Sequence, residues 1–186
     1  MELAAYMIKR VAFSQQELDD ILTYFKKEKI LKNQILLQEG NTCHKLYFLE
    51  KGVGRSYYLN SNGKYITQWF FGEGNFMTSL ESFFQETPSC SYMEMLEDSI
   101  VYSISKKDID YLFEKYHTME KFGRIIAIEM TTKISNKLNG IQFQTASDRY
   151  KYMLKEFPNI STRVPLGDIA SYLGITQETL SRIRKK

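Results

Sequence analysis

Apolar residues recur at two different periods along this chain, and the change of period divides it. Leu18, Ile21, Leu22 and Phe25 keep a helical repeat behind Ser14-Gln-Gln-Glu17, a capping-box pattern. From Lys29 to about Ile104 the texture changes to short β-branched and aromatic runs broken by Gly, Asn and Ser. Residues 30–37, 46–50, 53–59, 65–71, 91–96 and 100–104 read as strands. Asn60-Ser-Asn-Gly63 is a hairpin turn, because Asn and Gly tolerate the positive φ that such turns demand. Gly52, Gly54, Gly72 and Gly74 mark further corners. Many short strands at regular spacing predict a sandwich or small barrel rather than a parallel sheet.

Helical spacing returns at Ser105-Lys-Lys-Asp108, another cap signal, and continues to about Tyr116. A longer helix is predicted from Met119 to near Ile141, about 23 residues or roughly 35 Å. Its apolar positions include Phe122, Ile126, Met130, Ile134 and Leu138, a series that steps mostly by four. Such a stripe drifts around the helix instead of forming a clean heptad seam. A single broad buried face would account for it. So would two surfaces, one on the barrel and one on an identical helix across a dimer axis. Ser147-Asp-Arg149 opens a further helix that ends near Phe157-Pro158.

The closing residues carry the densest local signal. Leu166, Ile169, Ala170 and Leu173 give a short helix one apolar face, with Ala170 small where a second helix must cross. Gly174 follows as a C-terminal stop, and Thr176 is placed as the N-cap of a second helix. Leu180 and Ile183 form the buried side of that helix, while Gln177, Glu178, Ser181, Arg182 and Lys185 face outward. This is a helix-turn-helix whose outer side chains suit base edges and phosphates. An ordinary helical hairpin with a Glu178–Arg182 surface pair is the plainer alternative.

Charge supports the first reading. The net charge is only +3, yet residues 146–186 hold eight Lys/Arg against four Asp/Glu, and the remainder holds 17 against 18. The basic surplus therefore lies with the helix-turn-helix, where polyanion binding needs it. With 43% hydrophobic residues the chain has material for a core, so wholesale disorder is excluded. No run approaches the roughly 20 apolar residues of a membrane span, and the N-terminus lacks a signal-peptide core, so a cytoplasmic protein is expected. Cys43 and Cys90 are too few for a disulfide framework or a cysteine cluster, and Cys90 is expected as a buried strand residue. His44 and His117 are isolated, so no cofactor and no metal are expected. Without a nucleophile–base pair, a phosphate loop or metal spacing, the chain does not read as an enzyme.

A capped N-terminal helix, a small barrel, a long helix and a C-terminal helix-turn-helix resemble the CRP/FNR family of bacterial transcription regulators. The segment Ile169-Ala-Ser-Tyr-Leu-Gly-Ile-Thr-Gln-Glu-Thr-Leu-Ser-Arg-Ile183 is similar to the family's recognition-helix pattern. Gln38-Glu-Gly40, Tyr47-Phe-Leu-Glu-Lys-Gly52 and Gly74-Asn-Phe76 resemble its barrel, more weakly. The resemblance implies an α+β fold: a jelly-roll, cyclic-nucleotide-binding-like barrel over residues 1–117, a dimerisation helix and hinge over 118–145, and a DNA-binding domain over 146–186. It implies a homodimer joined through Phe122, Ile126, Met130, Ile134 and Leu138. Double-stranded DNA would meet Thr176, Gln177, Glu178, Thr179, Ser181, Arg182, Arg184, Lys185 and Lys186, with RNA polymerase as a further partner. A module of the same fold that binds a ligand or a protein and no longer reads DNA is the alternative.

The sensor departs from the family pattern. Cyclic-nucleotide binders use a Glu for the ribose and an Arg for the cyclic phosphate; Ser79 and Ser89 stand at the matching positions here. No Lys or Arg occurs between Lys64 and Lys106, so the expectation is a barrel that does not take cyclic AMP. Any effector is unidentified by sequence, and its pocket would involve Phe76, Thr78, Ser79, Ser89 and Ser91. The aromatic and Met-rich surroundings suit an apolar ligand better than a phosphate.

Overall fold

The computed structural model describes residues 2–185. Two short helices lead, α1 (Leu3–Ile8) and α2 (Gln15–Thr23). The second starts on the expected capping box: Ser14 Oγ accepts from Glu17 N–H at 3.2 Å, and Ser14 N–H donates back to the Glu17 carboxylate at 2.9 Å. Strands β1 (Lys26–Ile30), β2 (Ile35–Leu37), β3 (Lys45–Lys51), β4 (Gly54–Leu59), β5 (Tyr65–Phe71) and β6 (Phe76–Met77) follow. A short helix α3 (Leu80–Gln85) precedes β7 (Tyr92–Met95) and β8 (Ser99–Ser105). The chain closes through α4 (Lys106–Lys115), α5 (His117–Phe143), α6 (Ala146–Glu156), α7 (Ile160–Arg163), α8 (Leu166–Leu173) and α9 (Gln177–Arg184).

Among the described residues the strands form two four-stranded antiparallel sheets, ordered β1-β8-β3-β6 and β2-β7-β4-β5. This is the sandwich that the short alternating runs predict, and the α+β layout holds over the whole chain. One expected strand is corrected. Residues 30–37 do not run as one strand, because Asn33 turns the chain at φ 63° and sends β1 and β2 into different sheets. The sequence of β1 is Lys-Lys-Glu-Lys-Ile, whose charges mask strand periodicity; as an edge strand it presents them to water. The hairpin turn stands: Asn60 Oδ1 accepts from the N–H groups of Asn62 and Lys64 at 3.0 and 2.9 Å. Gly52 is required where it is. Its φ is 118°, and a Cβ would lie 2.0 Å from Ser99 Oγ.

The barrel core is large and aromatic. Phe48, Phe83, Leu49, Met77 and Met93 are fully enclosed, and Tyr6, Phe76 and Phe122 meet edge to face with ring centroids 5.8–6.1 Å apart. The start of α5 belongs to this core, since Met119 and Phe122 are each 2% exposed. A second apolar cluster joins Val53, Phe70 and Leu96 of the barrel to Met153, Phe157, Ile160, Tyr172 and Leu180 of the C-terminal helices. The two parts of the chain therefore share a core and do not merely hang together.

Candidate nucleic-acid interface and sensor cavity

The helix-turn-helix is assembled from backbone chemistry that the sequence spells out. At the end of α8, Gly174 takes φ 68°, and Ile175 N–H donates to Ala170 carbonyl at 3.0 Å, closing the helix. Two residues later Thr176 Oγ1 accepts from Thr179 N–H at 3.2 Å and caps α9. Leu180 is completely buried against α8 and Ile183 is half-buried. Gln177, Glu178, Ser181, Arg182, Arg184 and Lys185 are exposed on the other side, as predicted. Thr176 and Thr179 spend their side chains on the cap, with hydroxyls 3.1 Å apart. Lys186 lies outside the described residues.

Electrostatics favours an anionic partner on this face. Glu178 sits in the first turn, where its own backbone N–H and then Thr176 lower its carboxyl pKa, with Arg182 adding a smaller effect. No ion pair within 4 Å ties Arg182, Arg184 or Lys185 among the described residues. The acidic residue of α8 is neutralised elsewhere: Asp168 pairs with Arg55 of β4, which also meets Glu94 at 2.7 Å.

Asp168 is part of a wider dock between the helix-turn-helix and the barrel. Arg163 bridges Glu73 and Glu97, each at 2.5 Å. Burial acts to raise the Glu73 pKa, but hydrogen bonds from Arg163 and Gly52 N–H win and bring it to about 2. Ser171 Oγ accepts from Thr67 N–H at 2.9 Å, so α8 is bonded to the backbone of β5. Tyr172 stacks obliquely on Phe70 with centroids 5.1 Å apart. Sequence reading missed Arg55, Arg163, Glu73 and Glu97, since nothing local distinguishes them from solvated charges.

Between β5, α5 and α8 lies a cavity of about 730 Å³. Phe76, Thr78, Ser79 and Ser91 line it. Ser89 does not line it and is corrected to a buried position behind, 4% exposed. Its hydroxyl lies 3.0 Å from Ser79 Oγ and donates to Ser91 carbonyl at 3.0 Å. Ser79, Ser89 and Ser91 are thus brought together as a closed serine network. A second correction concerns charge. The segment 65–105 holds no basic residue, but Arg10, Lys133, Lys137 and Arg149 reach the cavity from elsewhere, against Glu81 and Glu129. Arg10 is held by Glu129 through bonds of 3.1 and 3.0 Å, and Lys133 donates to Asn75 at 3.0 Å. Cys90 is also corrected: it is exposed in the loop between α3 and β7, and Cys43 is the buried cysteine.

The long helix divides its apolar residues between two jobs. Phe122 is committed to its own barrel and is not available to a second chain, contrary to expectation. Ile126 and Met130 are half-buried. Farther on, Ile134, Leu138 and Ile141 are 46%, 53% and 57% exposed. With Ala127 and Thr131, also exposed, these residues step by four and three alternately, the spacing of a heptad, while the barrel-facing residues of the same helix step by four.

Residues 27–116 match the family model of the cyclic nucleotide-binding domain. The chain is 29% identical to the anaerobic regulatory protein of Pasteurella multocida (strain Pm70), over 91% of this chain and 66% of that protein. It thus spans about two thirds of that relative's length. It is 26% identical to the fumarate and nitrate reduction regulatory protein of Vibrio cholerae, over 91% of this chain and 72% of the other. The structure of FixK2 from Bradyrhizobium japonicum has the same fold, with a TM-score of 0.75 at 18% identity, covering 87% of this chain and 83% of that one. Among the described residues no helix is long and apolar enough to cross a membrane. The order of barrel, long helix and terminal helix-turn-helix extends the match well beyond the nucleotide-binding domain. Over most of its length the chain is thus similar to regulatory proteins of the CRP/FNR type, and it carries a cyclic nucleotide-binding domain over residues 27–116.

Proposed function

We propose that this chain is a sequence-specific DNA-binding regulator that acts in the cytoplasm as a homodimer, altering the access of RNA polymerase to its sites. The observation that carries the reading is α9. It is a capped helix standing on a buried Leu180, with Arg182, Arg184 and Lys185 exposed and, among the described residues, in no ion pair within 4 Å. Such a helix enters the major groove with its N-terminal residues leading, where Gln177 can pair with adenine, Glu178 can accept from cytosine and Arg182 can bind guanine bidentately. Arg184 and Lys185 at the far end meet phosphates. The heptad seam of α5 supports a two-fold dimer, and a dimer reads a two-fold symmetric site with half-sites spaced by a helical turn. Residues 146–186 then act as the DNA-binding unit, 118–145 as the dimer helix and hinge, and 1–117 as the sensor.

Cyclic AMP is not its effector in this reading. The position matching the phosphate contact is Ser89, buried and fully engaged with Ser79 and Ser91, so a cyclic phosphate there would lose its charge-assisted partner. Selection of bound fragments from random DNA tests the central proposal. The expected product is a palindromic site bound in a salt-dependent manner. Recovery of no enriched sequence by a folded dimer overturns DNA reading.

A further inference from the structure

Among the described residues, Lys133, Lys137 and Arg149 of the cavity form no ion pair, and Lys137 alone of the three stands against two aromatic rings. Lys137 projects from α5, with Nζ 3.9 Å from the centroid of the Tyr172 ring and 5.4 Å from that of Trp69. It donates to the Gln68 carbonyl of β5. An ammonium has three donors, and among the described residues no carboxylate lies within ion-pair distance of this one. The neighbouring cations are engaged. Arg10 is held by Glu129, Lys133 by Asn75, and Arg149 donates to the carbonyls of Leu173 and Gln144 at 3.2 and 2.9 Å. The aromatic faces attract the ammonium but leave its charge in place. Burial, with no opposing charge, lowers its pKa to about 8.

The surroundings select what could complete the pair. Ile134, Leu138 and Ile141 of α5 line the same cavity as Trp69 and Tyr172, so Lys137 stands on a largely apolar wall. A carboxylate on an apolar body meets both features of this wall, since it needs one cation and an apolar surface beside it. A volume of about 730 Å³ is ample for a small organic molecule. We propose that the hinge end of the cavity binds a small organic monocarboxylate, its carboxylate on Lys137 and its apolar body against Trp69 and Tyr172. The site lies in the cavity that Ser79 also lines, and it does not depend on DNA reading. Because Lys137 touches both β5 and α8, its occupant would bear directly on the dock between sensor and helix-turn-helix.

Calorimetric titration of the full chain with 4-phenylbutyrate, and with 4-phenylbutanol as its uncharged match, tests the proposal. The acid should bind at least about tenfold more tightly than the alcohol. Lys137→Met, which keeps the apolar stem, should remove that preference and leave alcohol binding unchanged; Lys137→Arg should restore it. Ser79→Ala should have no effect on either ligand. At pH 8 the acid should also take up about half a proton per site, because an adjacent anion raises the Lys137 pKa from about 8. Tyr172 faces Lys137 from α8, while Lys133 on α5 and Arg149 on α6 share the cavity. Equal affinity for acid and alcohol overturns the proposal. So does undiminished acid binding by a Lys137→Met protein that melts like the parent, or an absence of acid binding at millimolar concentration.

Discussion

Arg182 and Lys185 are one turn apart at most, yet they should behave differently. Arg182 follows Glu178 by one turn on the exposed side of α9, within reach of a base edge. Arg182→Ala should cost roughly 1–3 kcal/mol on the selected site and relax preference at one position in each half-site. Lys185→Ala should weaken all sequences alike and reduce the salt slope by about one. Quantitative binding to cognate and random duplexes separates the two. Equal losses on both duplexes for Arg182→Ala would remove Arg182 from base reading. In the sensor, the small, engaged Ser79 and Ser89 carry an opposite kind of prediction. A ligand at 100 times its Kd adds about 2.7 kcal/mol of stability, so cyclic AMP at millimolar concentration should leave the melting temperature unchanged. A clear upward shift would reinstate the nucleotide.

At the scale of the element, α5 is 27 residues long, about 40 Å, and changes partner along its length. Its first two turns complete the barrel, whereas its second half exposes the Ala127–Ile141 seam. The double variant Ile134→Asp with Leu138→Asp should therefore give a folded monomer, because both residues are about half exposed in a single chain and charge is costly only when buried at a seam. Sedimentation velocity reads the outcome, with far-UV circular dichroism to check folding. A variant that remains dimeric would locate the interface on another surface. Substituting Phe122 instead would unfold the sensor and say nothing about assembly, since that ring is enclosed by Tyr6, Phe13 and Phe76.

Across the whole molecule, the position of the helix-turn-helix depends on a few long-range contacts. Arg163 joins residues 66 and 90 positions away in the chain, and Arg55 joins Asp168 across 113. Arg163→Ala should loosen this dock by about 1 kcal/mol, since the bridge is partly solvated. Hydrogen exchange should then quicken in α8 and β5 while the rest of the barrel stays protected. The same bridge makes the dock acid-sensitive. The Glu73 pKa falls from an ordinary 4.5 to about 2 on folding, so its contribution is complete above about pH 4.5 and is lost as pH drops toward 2. Exchange in α8 measured across that window should accelerate in the parent and change little in Arg163→Ala. Identical acid profiles for the two proteins would remove Arg163 from the dock.

Much of this architecture was legible along the chain because it is decided locally. Periodicity, the caps at Ser14, Ser105 and Thr176, and the turn at Gly174 report backbone preferences that act within a few residues. They were enough to give the sandwich, the long helix, the helix-turn-helix and the outward face of α9. Tertiary structure alone decided what depends on distant partners. A charged strand such as β1 is a strand only because β8 pairs with it, residue for residue from Lys26↔Ser103 to Ile30↔Ser99. Phe122 and Leu138 look equivalent in the sequence, but one meets the barrel and the other meets solvent. The cavity's charge follows the same rule. An ammonium or guanidinium sits at the end of a long side chain, so which cations share a pocket is set by the packing of α5, α6 and α8 around β5. A count of charges along any one segment does not contain that information.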